Sequence, residues 1–230
     1  MKTGSVGLFI DARFIQGFAA RPFARALAAA VAALLAVAGV LAGSGPAFDQ
    51  STLAASKSFE GKLQTLGSQD AKPSASYPAV IITEREVNSY MRVHSHELLP
   101  AGVSPPTLIV QPEHSTAAGD VDFATLSRSY PNQNDWGPKI LAAMFKNGTE
   151  HVTVTAKVQS ENSGVRLQIE KVVVGSMTVP NWLLDYFIQN VLQPTYKFDL
   201  SKPLPYPDHV TQIVLGSGQA TFFRKPIRRQ

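Results

Sequence analysis

Apolar residues come in this chain first as a block, then at helical spacing, then in alternation. The block is residues 26–42, ALAAAVAALLAVAGVLA. Residues 48–78 follow, rich in Ser, Ala, Gln and Lys and weakly periodic. They read as a linker with at most a loose helix over 50–66. Residues 79–82 suit a short strand. Thr83-Glu84-Arg85-Glu86 is a capping box, in which the Thr83 hydroxyl takes the Glu86 amide proton and the Glu86 carboxylate reaches back. It predicts a helix over 84–98, with Val87, Tyr90, Met91, His94 and Leu98 on one side. Pro100, Pro105 and Pro106 break the chain after it.

Strands are predicted over 107–112 and 115–123; in the second, Val121 and Phe123 alternate with Asp120 and Asp122. A polar, turn-rich stretch leads to a short helix over 138–147, stopped by Asn147-Gly148. The clearest alternation is 151–159, HVTVTAKVQ, with Val152, Val154, Ala156 and Val158 on one face. The strand 165–174 starts in one phase with Val165, Leu167 and Ile169, then slips to Val172 and Val174. A bulge near Glu170-Lys171 accounts for the slip and bends the sheet. Residues 180–192, PNWLLDYFIQNVL, predict a second helix with Leu183, Leu184, Phe187, Ile188, Val191 and Leu192 over half its circumference. Strands 209–215 and 219–224 close a hairpin around Gly216-Ser217-Gly218. This order predicts an α+β fold, a curved antiparallel sheet with two main helices packed on one face.

Charge changes the reading of the first block. Arg13, Arg21 and Arg25 precede it, and Gly45-Pro46-Ala47 offers small residues for cleavage after Ala47. Residues 1–47 are therefore expected to be an export signal, or an N-terminal anchor if residues 26–42 are retained. The protein is expected in the bacterial periplasm or otherwise outside the cytoplasm. With no cysteine, the chain carries neither a lipoprotein anchor nor a disulfide, so its stability rests on packing. Lys2 and the three arginines against Asp11 give the leader a net charge of +3, out of +4 for the chain. Residues 79–230 are expected to be a single domain, close to neutral. Its basic patch is Arg224, Lys225, Arg228 and Arg229, either a solvated tail or a contact for anionic headgroups. No nucleic-acid partner is expected, for want of a clustered basic face.

The candidate chemistry is sparse. No Gly-x-Ser-x-Gly elbow and no Gly-rich phosphate loop occurs. His94 and His96 diverge by about 200° on a helix and cannot share a metal, so neither metal nor cofactor is expected. Asp120 and Asp122 share a strand face, which is more simply a solvent face than an acid–base pair. His94 stands out because it lies in an apolar stripe, either as a satisfied core histidine or as a polar contact for a ligand. Trp182 and Tyr186, one turn apart on the polar side of their helix, either pack under another element or mark a membrane interface. Arg224 and Lys225 would join them there.

Thr83-Glu84-x-x-Val87-Asn88-x-Tyr90, Val121-Asp122-Phe123 and Val172-Val173-Val174-Gly175-x-Met177-x-Val179-Pro180 form a series that resembles the YpmS-like and LmeA-like exported bacterial proteins. The resemblance spans roughly residues 79–224. It implies a fold similar to the tubular lipid-binding proteins, cupping an apolar ligand between a bent sheet and helices. It brings no catalytic residues. The ligand contacts would come from the two helix faces, Tyr90, Met91 and His94 on one and Leu183, Phe187 and Val191 on the other. The expected function is that of a non-enzymatic envelope protein binding or carrying a lipid-like molecule. An envelope interaction module with a filled core is the alternative, and a hydrolase comes last.

Overall fold

The computed structural model describes residues 48–67, 78–99, 101–125, 148–161, 164–189, 199–206 and 210–224. The export segment, the predicted helix 138–147, Val191 and Lys225 lie outside these residues, as does the side chain of Phe187.

Helix α1 (Gln50–Gly67) matches the loose helix expected over 50–66, but its buried face makes it more than part of a linker. Asp49 opens it, accepting the Thr52 amide at 2.7 Å and the Ser51 hydroxyl at 2.6 Å. These bonds hold the Asp49 carboxyl below its usual range. Ser56, Phe59 and Leu66 are buried, so α1 belongs to the folded unit. The burial recurs every three or four residues, but only Phe59, Leu63 and Leu66 on that face are large and apolar. Such a narrow stripe needs a partner helix to cover it.

That partner is α2 (Glu84–Val93), which follows the short strand β1 (Val80–Thr83). The capping box is present: the Glu86 amide donates to the Thr83 hydroxyl oxygen, and the Thr83 amide to Glu86 Oε2. The predicted helix 84–98 is interrupted at His94 (φ −102°, ψ 16°), after which α3 (Ser95–Leu98) adds a single turn.

Strands β2 (Thr107–Gln111), β3 (His114–Asp122), β4 (Thr149–Glu161), β5 (Gly164–Val174) and β6 (Met177–Thr178) form one antiparallel sheet in that order. The predicted bulge is there. Thr155 pairs with Lys171 and Ala156 with Ile169, which leaves Glu170 unopposed. Helix α4 (Asn181–Phe187) follows Pro180. Strand β7 (Leu204–Pro205) joins the far end of β5, where Gly164 is required: a Cβ there would lie 2.1 Å from the Leu204 carbonyl oxygen. The closing hairpin, β8 (Val210–Gly216) and β9 (Gln219–Arg224), does not extend this sheet. It pairs with β1 in a separate antiparallel sheet of order β1-β9-β8. The fold is α+β with mostly antiparallel strands, as expected, but it has two sheets, and its longest described helix is α1.

The sheets and helices share one apolar interior. Leu108, Val110, Ala117, Val152, Val154, Ala156 and Val174 enter it from the large sheet; Val80, Ile82 and Phe222 enter from the small one. Each fully buried large side chain contributes about 1.5–3 kcal/mol.

Candidate functional site

Three of the residues expected to meet a ligand lie in that interior. Tyr90, Met91 and Leu183 are buried among core side chains. The Tyr90 ring packs against Phe59 of α1, centroids 4.9 Å apart, and against the His94 ring at 4.5 Å. Burial, with help from the nearby carboxylates of Glu60 and Glu97, pushes the Tyr90 hydroxyl up to about 12. Leu183 is anchored by its helix entry, where the amides of Leu183 and Leu184 both donate to the Pro180 carbonyl. Ala117 and Ala156, on neighbouring strands at the middle of the large sheet's inner face, have 0% accessible surface. A side chain beside a space wide enough for a water molecule would retain some.

His94 is a satisfied histidine at a helix junction. Its Nε2 lies 2.9 Å from Glu60 of α1 and its Nδ1 3.3 Å from Glu97 of α3, so it ties three helices together. Both ring nitrogens are engaged by carboxylates of neighbouring helices.

Glu86 is a buried charged group. Its carboxylate accepts from the Ser58 hydroxyl at 2.5 Å, Lys62 Nζ at 2.8 Å, the Thr83 amide at 2.8 Å and the Thr83 hydroxyl at 2.9 Å. Burial acts to raise its carboxyl, but the bonds from Lys62, Ser58 and Thr83 outweigh it and bring it down to about 2. With its acceptor capacity used on cap and neighbouring helix, Glu86 is a clamp between α1 and α2. Sequence reasoning found the cap; Lys62 and Ser58 were hidden in the presumed linker, where only the Asp49 N-cap and the Phe59, Leu63, Leu66 spacing pointed to a helix.

The two strand aspartates part company. Asp120 is exposed and pairs with His151 Nδ1 at 2.8 Å. Asp122 accepts the amides of Ala124 and Thr125, both at 3.0 Å, and the Thr125 hydroxyl at 2.6 Å, closing the turn after β3. Each already has a structural task. Among the described residues, no group of three or more His, Asp or Glu side chains is arranged to hold a metal.

The outward surface is less ordinary. Trp182 is 61% exposed at the start of α4, and Met177 is exposed just before it, whereas Tyr186 is half-buried. Ile81, Val214 and Phe223 are each more than 40% exposed on the small sheet. Ile81 and Val214 both pair with Thr221, so they share its face, and Phe223, two residues on, shares it too. Arg224 pairs with Val210 at the end of that sheet and is half-buried. No described helix is long and apolar enough to cross a membrane.

No model of a known protein family matches this chain, and no curated protein matches it.

Proposed function

We propose that this is a non-enzymatic cell-envelope protein, exported by its N-terminal segment, that works through its outer surface and has a filled interior. The observation that carries this reading is the state of the expected ligand seat. Tyr90 and Met91 are packed against the rest of the core, with Phe59 of α1 on the Tyr90 ring, and Ala117 and Ala156 retain no accessible surface. The residues resembling the exported lipid-binding families also have structural tasks here: Thr83 caps α2, Asn88 bonds to strand β2, and Tyr90 fills the core. Apolar side chains that the interior does not use, among them Trp182, Ile81, Val214 and Phe223, face outward.

The test is native mass spectrometry of the protein purified from its own host without delipidation. A filled interior gives the mass of the polypeptide alone. A stoichiometric co-purifying lipid would favour the carrier, and with it the tubular lipid-binding resemblance.

A further inference from the structure

We infer that His94 is a pH-sensitive joint between three helices, closed when its imidazole is charged and released from α3 when it is neutral. The geometry selects the charged form. His94 Nε2 lies 2.9 Å from Glu60 Oε1 of α1, and Nδ1 lies 3.3 Å from Glu97 Oε2 of α3. An ionised carboxylate only accepts, and a neutral imidazole has a single N–H to give. Both contacts are hydrogen bonds together only when the ring carries two N–H groups, as the imidazolium does. Among the described residues, no lysine or arginine pairs with Glu60 or Glu97, so the imidazolium is the one cation between them. The joint belongs to the fold and does not depend on what the outer surface meets.

Burial singles out this histidine. Every described histidine lies within 3.4 Å of a carboxylate, but the side chains of His96, His114 and His151 are 41–61% exposed, where an ion pair contributes little. The His94 side chain is 24% exposed and its ring packs on Tyr90. The other titratable groups around the joint do not compete with it. Burial, then the carboxylates of Glu60 and Glu97, push the Tyr90 hydroxyl up to about 12, so it stays neutral where an imidazole titrates. Lys62 of α1 is taken up by Glu86, and His96 of α3 reaches only the other oxygen of Glu97, at 3.4 Å.

The helix predicted over 84–98 breaks at this very residue. Beyond the break α3 is a single turn, and its N-cap, His94, gives it no side-chain cap bond. One turn of helix does not hold its shape unaided. A neutral ring keeps its proton on the nitrogen with the shorter contact, toward Glu60. Nδ1 then turns a lone pair to the Glu97 carboxylate, acceptor against acceptor. The tie to α1 stays and the tie to α3 is lost. The joint therefore contributes on the acid side of the imidazole range and is lost as pH rises through it. That is the opposite sense to Glu86, whose clamp is lost as pH falls toward 2.

Hydrogen exchange of the full chain tests the joint at about pH 5.5 and about pH 8, the span over which an imidazole changes charge, with each rate divided by the chemical exchange rate at that pH. The reporters are the amides of Glu97, Leu98 and Leu99, which close α3 on the carbonyls of His94 and Ser95. Their protection should fall by about fivefold from the acid to the alkaline side, the equivalent of ~1 kcal/mol for a partly exposed ion pair. Protection in β4 should not change. Glu97→Gln should abolish the fall, because a side-chain amide donates to the neutral ring and accepts from the charged one. His96→Gln should keep it. Both positions are exposed, so neither substitution threatens the fold. Equal protection of α3 at the two pH values overturns the proposal. So does a wild-type fall in Glu97→Gln, or the loss of that fall in His96→Gln.

Discussion

Asn88 takes both backbone groups of Leu108: the Leu108 amide donates to Asn88 Oδ1 at 2.7 Å, and Asn88 Nδ2 donates to the Leu108 carbonyl at 2.9 Å. One turn earlier Glu84 accepts the Val110 amide at 2.9 Å, and the Val110 carbonyl accepts the Gly218 amide at 2.8 Å. An edge strand with open amides and carbonyls invites pairing with another chain. Here the polar residues of α2 and the tip of the β8–β9 hairpin close the edge of β2, and the same bonds lock helix, large sheet and small sheet together.

Replacing Asn88 tests that lock. Asn88→Leu keeps the bulk but leaves two partly buried backbone groups unpaired, at about 1–3 kcal/mol for each group. Urea denaturation should show the loss, while Arg85→Ala, on the exposed side of the same helix, should stay within about 0.5 kcal/mol of wild type. Equal midpoints for the two variants would mean that the edge is held some other way.

Glu86 predicts an acid-sensitive clamp. Its carboxyl is lowered in the folded protein, from 4.5 to about 2, so its contribution is present above pH 4.5 and lost as pH falls toward 2. The shift corresponds to ~3 kcal/mol. Wild type should lose about that much more stability than Glu86→Gln between pH 6 and pH 2, a window that follows from the same linkage. Parallel pH profiles would remove Glu86 as the clamp.

Helix α1 should behave as core. Leu66, 1% exposed, should cost about 2–5 kcal/mol when replaced by Ala. Gly61 gives the opposite sign: an added Cβ would meet nothing within 4 Å, so Gly61→Ala should stabilise by about 0.5–1 kcal/mol. A linker would register neither change in a thermal melt.

Trp182 should contribute little to stability. Trp182→Ala should cost under about 0.5 kcal/mol, because the side chain is largely outside the fold. A loss of about 3–5 kcal/mol would instead identify it as packed under another element.

The strands were legible because alternation survives in them, and the bulge at Glu170 was legible as a slip of that alternation. The capping box was legible because its two partners sit three residues apart. Helix α1 was legible as a loose helix over 50–66 but not as a packed one, since Ser and Ala dilute its stripe and a single Asp49 marks its start. The split into two sheets was hidden too, because Val80 meets Phe222 only through pairing across most of the domain. For the candidate site, the pattern correctly buried Tyr90, Met91 and Leu183 but could not say what they face. A ligand cavity and a packed core both require apolar residues there, and Phe59, which meets Tyr90, came from the segment read as linker.

The central claim, a filled interior, is tested most directly at Ala117. It sits on the inner face of β3 with no accessible surface, and it pairs with Leu108 on one side and Val154 on the other. Ala117→Leu adds three carbons at that point, and in a filled core overpacking costs about 1–3 kcal/mol in urea denaturation. A variant as stable as wild type, or more stable, would mean that space waits there for a ligand, and would contradict the account.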